Sequence, residues 1–294
     1  MPKDKTKSII NLHLVIFIWG FTSILGRLIS IDSFSIVWYR MFLASAFIFL
    51  YFILLKKNIF NINMKSLFYF SLGGLLISIH WLLLFHSIKV SSVSIAVSML
   101  STGAIMMSVI EPLIKKKKIL YYQLFLGILV SLGVFIIFFS EKDSFNGIVY
   151  GLFAALLSVF FTILNKKLVN NYNPNTITFY EIFSGFIFLT FCSIFFNKFS
   201  IDFFNLNLND FIWLFILSSI CTAFAFTYSV KIMKHISPYT FMISINLEPV
   251  YAIGLSIIIF KEKELLSLNF YIGVLIIIIS VFINGFLKFN QNQK

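Results

Sequence analysis

Four ionisable side chains sit in apolar runs: Arg40 in "SIVWYRMFLASAF", His80 in "SIHWLLLFH", Glu181 in "FYEIF" and Glu248 in "INLEPVYAIG". If such runs cross a bilayer, a charge at a helix centre costs about 2.5–3.5 kcal/mol on insertion scales, so it must face a bundle interior or a wet cavity. A cation and acids at that depth suit two tasks. They can hold a charged or zwitterionic solute, or they can carry a proton. Covalent catalysis lacks its signatures, because the chain has no HExxH, no GxSxG, no P-loop and no Gly-rich dinucleotide fingerprint. The His residues at 13, 80, 86 and 235 are scattered, and Cys192 and Cys221 lie in apolar runs without CxxC spacing. No metal and no cofactor is expected.

Neighbouring residues extend this candidate site. Asn246 precedes Glu248 by two positions, so the two lie on different helix faces. Pro249 lacks an amide and frees the Ile245 carbonyl, which near a bilayer midplane needs a partner or lines a cavity. Trp81 beside His80, with Tyr228 and Tyr251, completes the proposed lining; Trp19, Tyr39 and Tyr180 are further aromatics of the same kind. In a chain with 39 Phe, most aromatics are expected to pack or to belt the membrane interface. Glu111-Pro112 reads as a helix terminator or gate element.

These residues need long helices to position them. The chain is 60% hydrophobic and 12% charged, with a mean hydropathy of +0.97. A soluble domain is about 45–50% apolar and about 25% charged, so the solvent here must be mostly lipid. Ten candidate spans follow, at about 9–30, 34–55, 66–88, 91–113, 119–140, 146–167, 175–197, 210–232, 237–260 and 268–288. Only 198–209 remains as a loop of substance. The lysines before the first span mimic a signal peptide, but no small-x-small cleavage site follows, so a retained helix is expected. At about 1.5 Å rise per residue, Glu248 lies close to the midplane and Arg40 differs from it in depth by about 5 Å. A long Arg side chain is therefore expected to bridge to Glu248. Glu181, about 12 Å from Arg40 along the normal, is not expected to touch it.

The net charge of +12 flanks the spans rather than marking a nucleic-acid site. With the N-terminus in the cytoplasm, sixteen of the 23 bases fall on cytoplasmic flanks and Arg40 within a span. The positive-inside rule thus places both termini in the cytoplasm.

The halves repeat. "ILGRL" (24–28) matches "ILNKK" (163–167), "WYRMF" (38–42) matches "FYEIF" (179–183), and "YQLFLGILV" (122–130) matches "LNFYIGVLI" (268–276). Five helices per unit is odd, so the second unit enters the membrane from the opposite face. The fold expected is all-α and integral to the membrane, with ten transmembrane helices in two inverted five-helix repeats, 1–143 and 144–294. Inverted repeats mark secondary transporters, where two similar halves expose one site to each side in turn. Thr102 falls on Glu248 and Gly103 on Pro249, making them the partner positions in the first half.

At "FIWGFTSILGRL" (17–28), "SIVWYRMFLASAF" (35–47) and "NLEPVYAIGLSIIIFKEKELLSLNFYIGVLII" (246–277), the chain resembles the EamA family of the drug/metabolite transporter superfamily. The resemblance covers essentially the whole chain. It implies a central cavity lined by helices 1–4 and 6–9, with helices 5 and 10 at the periphery. It also implies movement of amino acids and other small metabolites, often outward, by exchange or with protons. The chain departs from the family pattern in two places. Gly103 stands where proline is common, and "KKKK" (115–118) where Glu is common; Glu262 keeps that acid in the second half only.

The expected function is secondary active transport of a small metabolite, with amino acids or related zwitterions favoured by an Arg and one or two Glu in an aromatic cavity. An intramembrane enzyme and a non-transporting scaffold or channel are the alternatives. The expected partners are a small-molecule substrate, the lipid bilayer and protons as a candidate coupling ion, with no nucleic acid. The chain is expected as a monomer or weak homodimer in a bacterial inner membrane.

Overall fold

The computed structural model describes residues 3–56, 62–116, 118–119, 121–140, 144–260 and 266–291. Several helix starts are written in the sequence. Asp32, Asn63, Ser92, Asn173, Asn207 and Ser237 each accept a backbone N–H with the side chain, at the heads of α2 (Ser33–Leu54), α3 (Met64–Val90), α4 (Val93–Leu100), α8 (Pro174–Phe195), α10 (Leu208–Ile216) and α12 (Pro238–Ile245). Pro174 and Pro238 stand in the first turns of α8 and α12, where no amide is needed. The other helices are α1 (Lys3–Leu28), α5 (Gly103–Ile114), α6 (Tyr121–Ser140), α7 (Phe145–Leu168), α9 (Ile201–Phe204), α11 (Ala225–Met233), α13 (Glu248–Phe260) and α14 (Leu268–Gln291). A π-helical segment, Leu217–Phe224, joins α10 to α11.

No strand occurs among the described residues. Eight helical stretches are long and apolar enough to cross a membrane: Ile10–Leu28, Ser33–Leu54, Met64–Val90, Val93–Ile114, Phe145–Leu168, Pro174–Phe195, Leu208–Met233 and Pro238–Phe260. Phe125–Ile137 and Leu268–Ser280 are shorter apolar stretches within α6 and α14. The expected span edges fall close to these helices, except that α1 begins at Lys3, ahead of the expected residue 9. The expected loop 198–209 carries the single-turn helix α9. Outward-facing Phe125, Phe135, Phe153, Phe191 and Phe282 are more than half exposed, as a surface solvated by hydrocarbon allows. Glu262, Lys117 and the stretch 141–143 lie outside the described residues.

Two expected continuous spans are broken. Between α4 and α5, Ser101 N–H bonds Ser98 O at 3.2 Å and Thr102 N–H bonds Met99 O at 3.1 Å. Between α12 and α13, Asn246 N–H bonds Ile243 O and Leu247 N–H bonds Ser244 O, both at 3.1 Å. In each half, two consecutive i→i−3 bonds tighten the chain and end the first half-helix. Pro249 therefore does not kink a continuous helix. It occupies the opening turn of α13, directly after Glu248. Gly103 opens α5 at the corresponding place without a proline.

Helix packing uses small residues, as expected where lipid offers no hydrophobic drive between helices. At the α3/α8 crossing, a Cβ on Gly185 would lie 2.9 Å from Gly74 O. At the α6/α14 crossing, a Cβ on Gly133 would lie 2.8 Å from Gly273 O. The main buried cluster runs through α1–α5, α7, α8 and α10–α13; a second, with Val130, Ile137, Phe270 and Val274, gathers around α6 and α14. Helices α6 and α14 thus pair with each other beside the main cluster.

Candidate functional site

Arg40 anchors the best-formed site. Position 40 lies in the first half of α2, and its side chain is only 2% exposed. Its Nε–H donates to Thr222 Oγ1 at 2.7 Å, and its guanidinium carbon lies 3.7 Å from the Trp81 ring centroid and 5.7 Å from that of Phe85. Trp81 and Phe85 are four residues apart on α3, so both rings share one face of that helix. A planar guanidinium suits this setting, because it stacks on an aromatic face while its edge still donates. Nη1 has no hydrogen-bond partner.

The acceptor of Arg40 is a product of irregular backbone. Thr222 belongs to the π-helical segment, and its hydroxyl donates in turn to Leu217 O, five residues back, at 2.7 Å. Trp19 Nε1–H of α1 donates to Cys221 O at 3.2 Å, tying the same segment from the other side. Single π-helical turns inside α-helices recur at functional sites because they re-aim side chains and carbonyls.

These groups border a partly open cavity between the helices. Its lining includes Trp19, Thr22, Arg40, His80, Trp81, Ser158, Thr162, Ser229, Met242 and Glu248, from α1–α3, α7 and α11–α13. His80 Nδ1 is 2.8 Å from Ala154 O. Glu248 is 6% exposed and opens α13. Its carboxylate has no hydrogen-bond partner among the described residues. The expected bridge between Arg40 and Glu248 is not formed. Both line the cavity and their charges interact, but they stand beyond ion-pair distance, and the one ion pair among the described residues is Lys115–Glu111 at 2.6 Å. Depth along the normal had suggested contact, whereas Thr222 and Trp81 draw the guanidinium sideways. The cavity thus holds one cation and one acid, each buried and neither paired with the other.

Of the residues singled out from sequence, Trp19, Arg40, His80, Trp81 and Glu248 share this cavity, and the others do not line it. Glu181 is wholly enclosed between α3, α7 and α8, where it accepts from Asn165 Nδ2 at 2.9 Å. Its side chain points into the α3/α8 crossing at Gly73. Thr102 turns its hydroxyl back to Met99 O at 2.6 Å. Gly103 stands just behind the cavity wall, where a Cβ would lie 2.7 Å from Met242 Cε. Asn246 is buried at the α12/α13 break, and its Nδ2 has no partner. Pro249 is buried in the first turn of α13. Tyr251 packs on Phe17 at 5.5 Å and against Gly20. Tyr228 stacks on Phe224 at 5.9 Å and borders a separate cavity with Lys7, Asn11, Lys231 and His235. Glu111 pairs with Lys115, and Pro112 lies inside α5 two residues before its end.

Thr222, Asn165, Ser158, Thr162 and Ser229 were not singled out from sequence. Asn165 carried a usable signal, an amide deep in an apolar span. The hydroxyls carried none, since Ser and Thr satisfy themselves on a preceding helical carbonyl, as Thr162 does on Ser158 O at 2.8 Å.

The sequence matches the family model described as "EamA-like transporter family" over residues 6–139 and again over 145–286. No curated protein matches it. Among solved structures, one crystal structure superposes with a TM-score of 0.68 at 10% identity, covering 96% of this chain and 97% of that one. At that identity the likeness is one of fold alone.

Proposed function

The chain belongs to the EamA-like transporter family, and from that premise we propose that it is a secondary transporter of a small zwitterionic metabolite, an amino acid or a close relative. It is a multi-pass membrane protein. In this reading ten helices span a bacterial inner membrane, with both termini cytoplasmic, as two inverted repeats, 1–143 and 144–294. The observation that carries the substrate class is the pair of buried, mutually unbridged charges in one cavity, Arg40 and Glu248. A zwitterion supplies both missing partners at once. Its carboxylate would pair with the guanidinium and its ammonium with the Glu248 carboxylate, both of which line the cavity. Trp19 and Trp81 would flank the aliphatic part, and His80, tied to Ala154 O, would hold its ring fixed beside them.

Alternating access is supported by the paired helix breaks at Ser101–Thr102 and Asn246–Leu247, one in each family-matched segment. A helix already divided in two can tilt about the break without losing further backbone bonds. Energy then comes from exchange or an ion gradient, with net movement outward or by exchange, and the chain works as a monomer or weak homodimer.

The test is a thermal-shift screen of purified protein against a metabolite panel, followed by counterflow of each labelled hit in proteoliposomes. Counterflow that is lost in Arg40→Gln supports the reading. Hits that bind without flux, or turnover of a lipid or peptide without flux, reject it.

A further inference from the structure

Glu181 stands outside the solute cavity, with none of its surface exposed. Asn165 Nδ2 donates to its Oε1 at 2.9 Å and to Phe161 O at 3.4 Å. Both amide hydrogens are thus used. Two atoms are left over on this one pair of groups, Glu181 Oε2 and Asn165 Oδ1, and both lack a partner. With the carboxylate ionised, both are acceptors, and two acceptors cannot satisfy each other. A proton on Oε2 turns it into a donor and removes the buried charge.

Among the described residues, no cation pairs with Glu181 instead. Cations on the elements packed against Glu181 are engaged elsewhere: Arg40 of α2 on Thr222, Lys166 of α7 on Met233 O and Lys234 O, Lys167 of α7 over the Tyr69 ring of α3, and Lys231 of α11 over Tyr228. His80 of α3 bonds Ala154 O, and Lys65 lies on the exposed head of the same helix. The tyrosines at hand are Tyr69 and Tyr180, and Tyr180 stacks on Phe70. Asn165 is the group that acts on the carboxyl.

The backbone clamps the group in place. Gly73 offers no side chain, and a Cβ there would lie 2.9 Å from the Glu181 carboxyl carbon. The site therefore sits where α3 of the first matched segment meets α7 and α8 of the second.

We infer that Glu181 and Asn165 form a proton-binding site, separate from the solute cavity, which holds the carboxyl as the neutral acid in this conformation and exchanges its proton as the two halves move. The inference rests on the transport reading for its purpose, though not for the site itself. Release breaks the Oε2–H bond, leaves the electron pair on the carboxylate and passes the proton to water as hydronium. Water can reach Oε2 only when the α3/α8 contact loosens, so proton exchange and motion of the halves are one event. Uptake reverses the step.

Infrared difference spectroscopy of the purified, solute-free protein tests the site directly. At neutral pH a protonated-carboxyl carbonyl band is expected, shifting in heavy water and lost in Glu181→Gln within a Glu248→Gln background. Asn165→Val removes the hydrogen bond to that carbonyl and should shift the band to higher frequency, which keeps the test decisive if the Gln variant does not fold. In proteoliposomes with a trapped pH dye, solute flux should move protons in wild type. A carboxylate signature for Glu181 at neutral pH, a band unmoved in Asn165→Val, or solute flux that moves sodium and no protons would overturn the inference. Absent counterflow in wild type with the band intact would reject the transport reading while leaving the proton site standing.

Discussion

Thr222→Val isolates what the π-helical segment does for Arg40. The substitution keeps the shape of the side chain and removes one hydroxyl. That hydroxyl accepts from Arg40 Nε and donates to Leu217 O, both at 2.7 Å. Valine leaves the Nε–H of a buried guanidinium unpaired, beside an Nη1 that already lacks a partner. A hydrogen bond to a charged group contributes about 1.5–3 kcal/mol. The Trp81 face, 3.7 Å away, still attracts the cation, but it does not fix rotation about the stacking axis. If the oriented guanidinium receives the solute carboxylate, that energy is lost from binding, and at about 1.4 kcal/mol per tenfold the solute binds roughly 10- to 100-fold more weakly. The assay is counterflow in proteoliposomes across solute concentrations, with ligand-induced thermal shift as a check. The expected result is a raised KM with a near-normal maximal rate, since the lost contact serves bound and moving states alike. Thr222→Ser returns the hydroxyl and should recover most of the affinity. A wild-type KM in Thr222→Val, or a Thr222→Ser as weak as the valine variant, refutes the assignment.

Three further outcomes follow from named contacts. Glu248→Gln and Glu248→Ala should both lose solute transport, measured as counterflow, and wild-type flux in both at every pH tested would remove Glu248 from the site. Gly74→Leu should destabilise the detergent-solubilised protein by about 1–3 kcal/mol through overpacking, because its Cβ would lie 2.9 Å from Gly185 N, a backbone atom that cannot swing away; Gly254→Ala, whose Cβ would meet nothing within 4 Å, is the control for Tm. Gly133→Leu should likewise lower Tm by separating α6 from α14 at Gly273, and an unchanged melting curve would show that this crossing contributes little.

Much of the fold was legible because its causes are local. An apolar run of membrane length has one economical structure, and Asp32, Asn63, Asn173 and Ser237 announce the helices they cap. Arg40, His80, Trp81 and Glu248 were legible for a related reason, since residues costly or amphipathic in lipid collect where lipid is absent. The same rule reached Glu181 and placed it wrongly in the cavity. Energy cost says that a charge must be hidden, and a glycine-lined helix crossing hides one as well as a cavity does. The breaks at Ser101–Thr102 and Asn246–Leu247 were half visible, through Pro249 and its repeat partner Gly103, but the proline sits after the break instead of causing a kink.

By itself, the sequence determined that this chain lives in lipid as a set of apolar helices with two related halves and a few buried charges. Hydropathy, capping and repeat spacing are properties of neighbouring residues, so they survive without a fold. Only the tertiary structure decided that Arg40 turns to Thr222 and Trp81 rather than Glu248, that Glu181 pairs with Asn165 away from the cavity, and that Leu217–Phe224 winds as a π-helix. Those facts depend on how helices are rotated and how closely they cross, and depth along one helix carries no information about the direction its side chains face.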